Sequence, residues 1–313
     1  MVNNDKNIHI SVVSPVYKAE HIVDELVKRI TEEVKKITNS YEIVLVEDCG
    51  PDNSWDKILA NCKRDTHVKG IKLSRNFGQH HAITAGLDHC RGEWIIVMDC
   101  DLQDRPEEIV KMYTEAQKGF DIVLARRVER QDNFMKKASS KLFYRAFAWL
   151  SGIKQDGTVA NFGVYSRKAI NAINTLREPL RAFSAMASWV GFKKTSIDVT
   201  HGSRFEGATS YNWSRLMDFA LDYAISYSQK PLKLTIKLGL TISLLSVFYA
   251  VYNIIKYWLG IITIQGYTSL IISIWFLSGL IIFILGIIGL YIGKTFEGIK
   301  NRPIYLIDEE VNL

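Results

Sequence analysis

The feature that most constrains this chain is a long stretch nearly without charge. From Leu238 to Gly293, 56 residues, the only formal charge is Lys256, whereas the other 257 residues carry 71 charges. The near-neutral mean hydropathy of +0.02, with 48% hydrophobic and 23% charged residues, therefore averages two unlike parts. Such a composition excludes disordered, collagen-like and disulfide-scaffold classes. A simple soluble enzyme is excluded by the apolar part.

That part divides into two spans, about 234–255 and about 270–292. The second, at about 23 residues, makes about 34 Å of helix, enough to cross a hydrocarbon core of about 30 Å. Tyr257, Trp258 and Tyr267 in the connection suit an aromatic interfacial belt. Lys230, Lys233 and Lys237 precede or open the first span, Lys294, Lys300 and Arg302 follow the second, and the connection adds no cation beyond Lys256. The positive-inside rule then places both chain ends in the cytoplasm. A buried hairpin in a soluble protein is disfavoured by 37 consecutive uncharged residues from Tyr257 to Gly293. Ahead of the spans, residues 211–228 draw as an amphipathic helix with Trp213, Leu216, Met217, Ala220, Leu221, Ala224 and Ile225 on one face. It either packs on the globular part or lies in the membrane interface, and the adjoining span favours the interface. No secretory signal is expected, because the first apolar run, Ile8 to Val13, is short and interrupted by His9 and Ser11. Cys49, Cys62, Cys90 and Cys100 form no C-x-x-C pair, so neither a zinc nor a redox site is expected; reduced thiols fit a cytosolic location.

The first 125 residues alternate short β-rich runs with amphipathic stretches. Strands are predicted over 8–14, 42–47, 68–73, 94–98 and 122–125, and helices over 19–37, 53–63, 78–89 and 106–118. Runs such as Trp94-Ile-Ile-Val-Met98 are continuously apolar, which suits a sheet covered on both faces. The alternation predicts a parallel-dominated α/β sheet with right-handed crossovers, and ligands beyond the carboxyl ends of its strands. Those ends carry Pro15 and Tyr17, Glu47 and Asp48, Arg75 and Asn76, and Asp99 and Asp101. Residues 126–200 read as more helical and basic, returning to a strand over 194–199.

The sharpest chemical signal is Asp99-Cys100-Asp101-Leu102-Gln103-Asp104, directly after a buried strand. Two carboxylates one residue apart can project to one side and share a divalent cation, and all-oxygen ligation suits Mg²⁺ or Mn²⁺. Asp104, ahead of Pro106-Glu107-Glu108, reads instead as a helix N-cap. Val13-Ser-Pro-Val-Tyr17, Val46-Glu-Asp-Cys-Gly-Pro-Asp-Asn-Ser54 and Ser74-Arg-Asn-Phe-Gly-Gln79 end the neighbouring strands in step with it. His80 and His81 read as packing or phosphate-facing residues rather than zinc ligands, and His201 lies near Arg204 in sequence. No G-x-G-x-x-G or G-x-x-x-x-G-K-[ST] occurs, so neither a dinucleotide enzyme nor a P-loop NTPase is supported. The net charge of +6 fits phosphate ligands and anionic headgroups, with nothing else pointing to nucleic acid.

Taken together with Arg204-Phe-Glu-Gly-Ala-Thr-Ser-Tyr211, these motifs resemble the family-2 glycosyltransferases of GT-A fold. Within that family the chain is similar to the polyprenyl-phosphate glycosyltransferases related to dolichol-phosphate mannose synthase. The resemblance covers nearly the whole chain and implies an α/β GT-A domain, Rossmann-like with a parallel-dominated sheet, followed by an amphipathic juxtamembrane helix and two transmembrane helices. The implied organisation is 1–208 for the GT-A domain, 209–231 for the juxtamembrane helix, 232–293 for the two spans and 294–313 for a cytoplasmic tail. The implied reaction is inverting transfer of a sugar from a nucleotide diphosphate-sugar, a UDP-sugar first, to a polyprenyl phosphate such as undecaprenyl phosphate, at the bacterial cytoplasmic membrane. Pro15, Tyr17, Glu20, Asp48 and Arg75 would flank the nucleotide, with Asp48 on its base. Asp99, Asp101 and Gln103 would hold Mg²⁺ or Mn²⁺ and the diphosphate. Arg127, Lys136, Ser140 and Arg204 would bind the acceptor phosphate, although the basic cluster reads equally as a solvated face. Ser210 and Tyr211 would belong to a loop closing over the site. The resemblance also implies a homo-oligomer, a tetramer.

One departure stands out. Where many relatives carry Asp in a G-D-F-R pattern, proposed as the base, this chain has Ala160-Asn161-Phe162-Gly163, and Asn cannot take a proton. A phosphate monoester with a second pKa near 6 is already largely dianionic at neutral pH and needs little general base. Two rival readings are a processive polysaccharide synthase, against which stands the lack of Q-x-x-R-W and of further spans, and a non-catalytic membrane scaffold.

Overall fold

The computed structural model describes residues 8–127, 159–200, 228–259 and 266–313. These fall into two units, the first including 8–127, 159–200 and 302–313, the second 228–259 and 266–301. In the first unit the strands are β1 (Ile10–Val16), β2 (Tyr41–Glu47), β3 (Val68–Leu73), β4 (Trp94–Val97), β5 (Ile122–Arg127), β6 (Val159–Ser166), β7 (Lys194–Val199) and β8 (Ile307–Val311). They form one sheet in the order β7-β5-β6-β4-β1-β2-β3-β8. Strands β4, β1, β2 and β3 are parallel, β6 runs antiparallel between β4 and β5, and β8 is antiparallel to β3.

The sheet is covered on both faces, as the continuous apolar runs require. All seven residues of β1 and of β2 are buried. Alternate residues sort to opposite sides, as the period of two dictates. Val12, Leu45 and Ile96 join one core with α1 (Val23–Val34) and α2 (Ser54–Arg64). Val13, Val44, Ile95 and Val97 join the other with α3 (Gln79–His89). A short 3₁₀ turn, Pro106–Glu108, leads into α4 (Ile109–Ala116), also on the first face. On the second face lie α5 (Arg167–Thr175), capped by Ser166 Oγ accepting from the Ala169 amide, and α6 (Phe183–Trp189). Helix α3 sits so close to β1 that a Cβ on Gly86 would stand 2.4 Å from Val13 Cγ1.

The structure departs from the sequence reading in three places. Residues 159–166, expected within a helical region, form β6, which brings Asn161 into the sheet. Residues 307–311, expected within a tail, form β8: Gly70 pairs with Val311 and Lys72 with Glu309. The strand is held by Lys72 Nζ on Glu309 (2.9 Å), Trp55 Nε1 on Glu309 (3.2 Å) and Asn312 Nδ2 on the Cys62 and Val68 carbonyls (both 2.9 Å). Asp104 is not the cap of the turn after it: the capping position is Arg105, with no side-chain cap, and Asp104 is buried one residue upstream.

The second unit holds α7 (Lys230–Trp258) and α8 (Tyr267–Ile299), which contain the predicted spans. Both are long and apolar enough to cross a membrane, with mean hydropathies of 1.8 over Lys230–Asn253 and 2.5 over Ser273–Ile299. A core helix of a soluble protein would have these side chains covered, yet only 6% and 0% of the two apolar windows are buried. Tyr291 Oη donates to the Ser228 carbonyl at 2.8 Å, tying the start of α7 to α8. The predicted helix over 211–228 lies outside the described residues except for Ser228.

Candidate active site

In the strand order β3-β2-β1-β4 the chain steps outward from β1 to β3 and then returns to the far side of β1. The crevice beyond the carboxyl ends of β1 and β4 is therefore the topological switch point, where open α/β sheets bind ligands. Every described motif residue leaves the sheet at that edge.

At the end of β1, Pro15 is buried and Tyr17 is exposed, with Lys18 Nζ 5.5 Å from its ring centroid. Lys18 adopts φ +54, a turn conformation that costs a non-glycine residue energy and turns the chain sharply off the strand. Glu20 then works as a strut. Its Oε2 accepts from the Asn53 amide (3.0 Å), its own amide donates to Asp52 Oδ2 (3.1 Å), and its Oε1 lies 3.2 Å from His21 Nε2. Ser54 Oγ, which donates to Asp52 at 2.8 Å, accepts from the Ala19 amide at 2.9 Å. The loops after β1 and β2 are thus fastened to each other.

At the end of β2 two buried acids serve backbone amides. Glu47 accepts from the amides of Cys49 and Gly50, which lets Cys49 turn through φ +49. Asp48, 3% exposed, accepts from the Phe77 amide with Oδ1 (2.7 Å) and from the Gly78 amide with Oδ2 (2.9 Å). Burial pushes both carboxyls above the ordinary carboxylate range, outweighing the amides that favour the ionised form. Asp48 therefore holds the Arg75-Asn-Phe-Gly78 loop, a role its sequence position did not reveal. Arg75 is exposed, its guanidinium 3.9 Å from the Phe77 ring centroid and its Nη1 donating to the Asn76 carbonyl at 3.1 Å. Gly78, at φ +99, turns the loop into α3.

At the end of β4, Asp99 Oδ1 accepts from Gln79 Nε2 at 2.6 Å. Asp101 Oδ1 accepts from the Gln103 amide at 3.1 Å, closing a turn around Leu102, which is buried and held at φ +57. A buried leucine in a left-handed conformation is paid strain that fixes the turn. The Cys100 thiol between the two acids is pushed up to about 12, first by desolvation and then by the flanking carboxylates. All four cysteines are free. Among the described residues no group of three or more His, Cys, Asp or Glu side chains could hold a metal ion. Asp99 and Asp101 offer hard oxygen donors but too few for a closed protein site. The arrangement fits a cation such as Mg²⁺ or Mn²⁺ that is completed by substrate phosphate and water.

Two further residues reach the same edge. Val97, the last residue of β4, pairs with Gly163, so Asn161 lies two residues further along β6 toward the edge at which Asp99 follows β4. On its other side β6 bulges: Leu124 faces Gly163 but Arg126 faces Val159, so residues 160–162 stand opposite Ala125 alone. Such bulges re-aim side chains at sheet ends. Arg127 ends β5, paired with Val199. Lys136, Ser140, His201, Arg204, Ser210 and Tyr211 lie outside the described residues. His80, expected to pack or to face phosphate, is tied to the start of α6. Its Nδ1 accepts from the Phe183 amide at 3.5 Å, and burial, reinforced by His81 and Arg181, lowers it to about 4.

The profile of the family described as Glycosyl transferase family 2 matches residues 11–173. An uncharacterized glycosyltransferase of Synechocystis sp. is 36% identical over 303 residues, covering 96% of this chain and 95% of that protein. A prophage bactoprenol glucosyl transferase homolog of Escherichia coli is 32% identical over 299 residues, covering 95% of this chain and 98% of that protein. In fold, the chain is similar to glucosyl-3-phosphoglycerate synthase from Mycobacterium tuberculosis, solved with Mn²⁺, uridine-diphosphate-glucose and phosphoglyceric acid. That match has a TM-score of 0.52 at 11% identity, covering 70% of this chain and 78% of that one. With the GT-A-like sheet, the acidic turn at its switch point and a family match over residues 11–173, the chain belongs to glycosyl transferase family 2.

Proposed function

We propose that this protein transfers a sugar, with inversion, from a UDP-sugar to undecaprenyl phosphate at the cytoplasmic face of a bacterial membrane. The observation that carries the reading is the conjunction, in one chain, of an acidic D-C-D turn at the sheet's switch point and two uncovered apolar helices. The first suits a water-soluble diphosphate donor, the second a membrane-embedded acceptor. Relatives named bactoprenol glucosyl transferase match over nearly their whole length, which makes glucose the first sugar to test. The cations flanking the apolar helices favour both chain ends in the cytoplasm.

In this reading Tyr17 and Pro15 flank the nucleotide, Asp48 and Glu20 shape its pocket through the loops they hold, and Arg75 faces the phosphates. Asp99, Asp101 and Gln103 hold the cation, which when bound neutralises the charge that grows on the departing diphosphate. Arg127, with Lys136, Ser140 and Arg204, receives the acceptor phosphate. One oxygen of that dianion attacks the anomeric carbon in line, the C1–O bond to the diphosphate breaks, and UDP leaves. No proton has to be removed from the nucleophile, so Asn161 in place of an acid does not obstruct the step. What the chain supplies is alignment of the two reactants. The family resemblance suggests a homo-oligomer, a tetramer.

Purified protein in detergent, with Mg²⁺ or Mn²⁺, undecaprenyl phosphate and a panel of radiolabelled nucleotide sugars, tests the proposal. Mass spectrometry of the lipid product identifies the sugar. Failure to label the lipid from any UDP- or GDP-sugar would refute it. Asp101→Ala should abolish transfer with the fold intact; unchanged activity would remove the cation from Asp101.

A further inference from the structure

Gln79 carries no role in the motif reading, yet it is a residue that touches the first carboxylate of the D-C-D turn. It opens α3, its side chain is exposed, and its Nε2 reaches Asp99 Oδ1 at 2.6 Å across 20 residues of sequence. An exposed glutamine at a helix start ordinarily points into water, so the contact is not a by-product of packing. Both ends of it are anchored. On one side, the preceding Phe77 and Gly78 amides are clamped by Asp48, and α3 is pressed onto β1 at Gly86. On the other, Asp101 and the strained Leu102 fix the turn that follows Asp99. The chemistry of the donor is telling as well. A lysine or arginine here would hold Asp99 but cancel the charge a cation needs. A neutral amide fixes the carboxylate's orientation and leaves its charge intact.

We infer that Gln79 is a positioning residue for Asp99, holding its carboxylate in the orientation that binds a divalent cation with the donor diphosphate. The inference rests on the sugar-transfer reading above. Partners that orient a metal ligand are worth about 10–100-fold in metal affinity. Gln79→Leu keeps the size and removes the donor. With UDP present, Mn²⁺ titrated into the full-length protein in detergent, with free Mn²⁺ followed by electron paramagnetic resonance, should bind about tenfold more weakly in this variant. The apparent KM for Mn²⁺ should rise by the same factor, while kcat at saturating Mn²⁺ stays within about threefold of wild type. In an Asp99→Asn background the same change should add nothing, because the group it orients is gone. Unaltered Mn²⁺ binding in Gln79→Leu, or a further tenfold loss in the double variant, would each overturn the positioning role. A wild-type protein that binds Mn²⁺ with UDP but transfers no sugar would sink the function reading instead and leave the Gln79 result to stand by itself.

Discussion

The contact most open to a quantitative test is the one between Asp48 and the loop after β3. Both oxygens of this buried carboxylate accept from backbone amides, at 2.7 Å from Phe77 and 2.9 Å from Gly78. Asp48→Asn keeps the shape but turns one acceptor into a donor facing an N–H. A hydrogen bond to a charged group contributes about 1.5–3 kcal/mol, and a buried donor left without a partner costs about 1–3 kcal/mol. The loop can relax part of this, so we expect a loss of about 2–3 kcal/mol in its local opening energy. At about 1.4 kcal/mol per factor of ten, the amides of Phe77 and Gly78 should exchange roughly 30–150-fold faster. Hydrogen–deuterium exchange without donor isolates the holding role from any contact with nucleotide. Peptides from β1 and α1 serve as controls and should not change. Exchange of the 75–79 segment within threefold of wild type would refute the assignment of Asp48 as the loop's anchor.

Two other perturbations follow from packing and titration. A Cβ at Gly86 meets Val13 Cγ1 at 2.4 Å, so Gly86→Ala should destabilise the domain by about 1–3 kcal/mol in denaturant titration despite its better helix propensity, and should speed exchange at the α3 N-terminus. His80 is neutral in the fold, lowered to about 4 from an ordinary 6.5 chiefly by desolvation. Between those values the unfolded chain binds the extra proton, so stability is full above 6.5 and is lost as pH falls toward 4, by about 2–3 kcal/mol at most. His80→Gln should flatten that part of the pH–stability curve, and an unchanged curve would exclude His80 as its source.

Much of the site was legible because its motifs end strands, and strand ends of one parallel sheet share an edge. The continuous apolar runs of β1 and β2 put Tyr17 and Asp48 at that edge by sequence alone, and Trp94-Ile-Ile-Val-Met98 does the same for Asp99. What could not be read was which acid serves which loop. Asp48 finds its partners 29 and 30 residues away, in the loop after a strand that is its neighbour only in the folded sheet. Glu20, Asp52 and Ser54 likewise lock two crossovers that sequence shows as separate turns. Strand β6 was missed because it lies in a basic, helix-rich context and takes its identity from pairing with both β4 and β5. β8 was missed because five residues with three acids make a poor strand by propensity. The signal was the alternation of Ile307, Glu309 and Val311 with Asp308 and Glu310, whose meaning depended on Lys72 and Trp55 waiting at the edge.

The charge at the switch point sets a last requirement. Asp48, Asp99 and Asp101, with Glu47 behind them, gather carboxyl groups on the edge where a UDP-sugar would place two negative phosphates. Arg75 follows β3 by two residues and Arg127 is the last residue of β5, strands that lie on either side of β4 and its acidic turn. One carboxylate about 4 Å from one phosphate charge opposes binding by about 4 kcal/mol at an effective dielectric of 20. A divalent ion held by Asp99 and Asp101 would reverse the sign of that term, so in the proposed reaction the acidic turn would attract diphosphate only when loaded. UDP binding measured by calorimetry should therefore fall at least 100-fold when EDTA replaces Mn²⁺ or Mg²⁺, a change of about 2.7 kcal/mol. Uridine, which has no phosphate to repel, should bind equally in both conditions. If UDP affinity survives EDTA, Arg75 and Arg127 neutralise the diphosphate by themselves, and the two aspartates of the turn have another task.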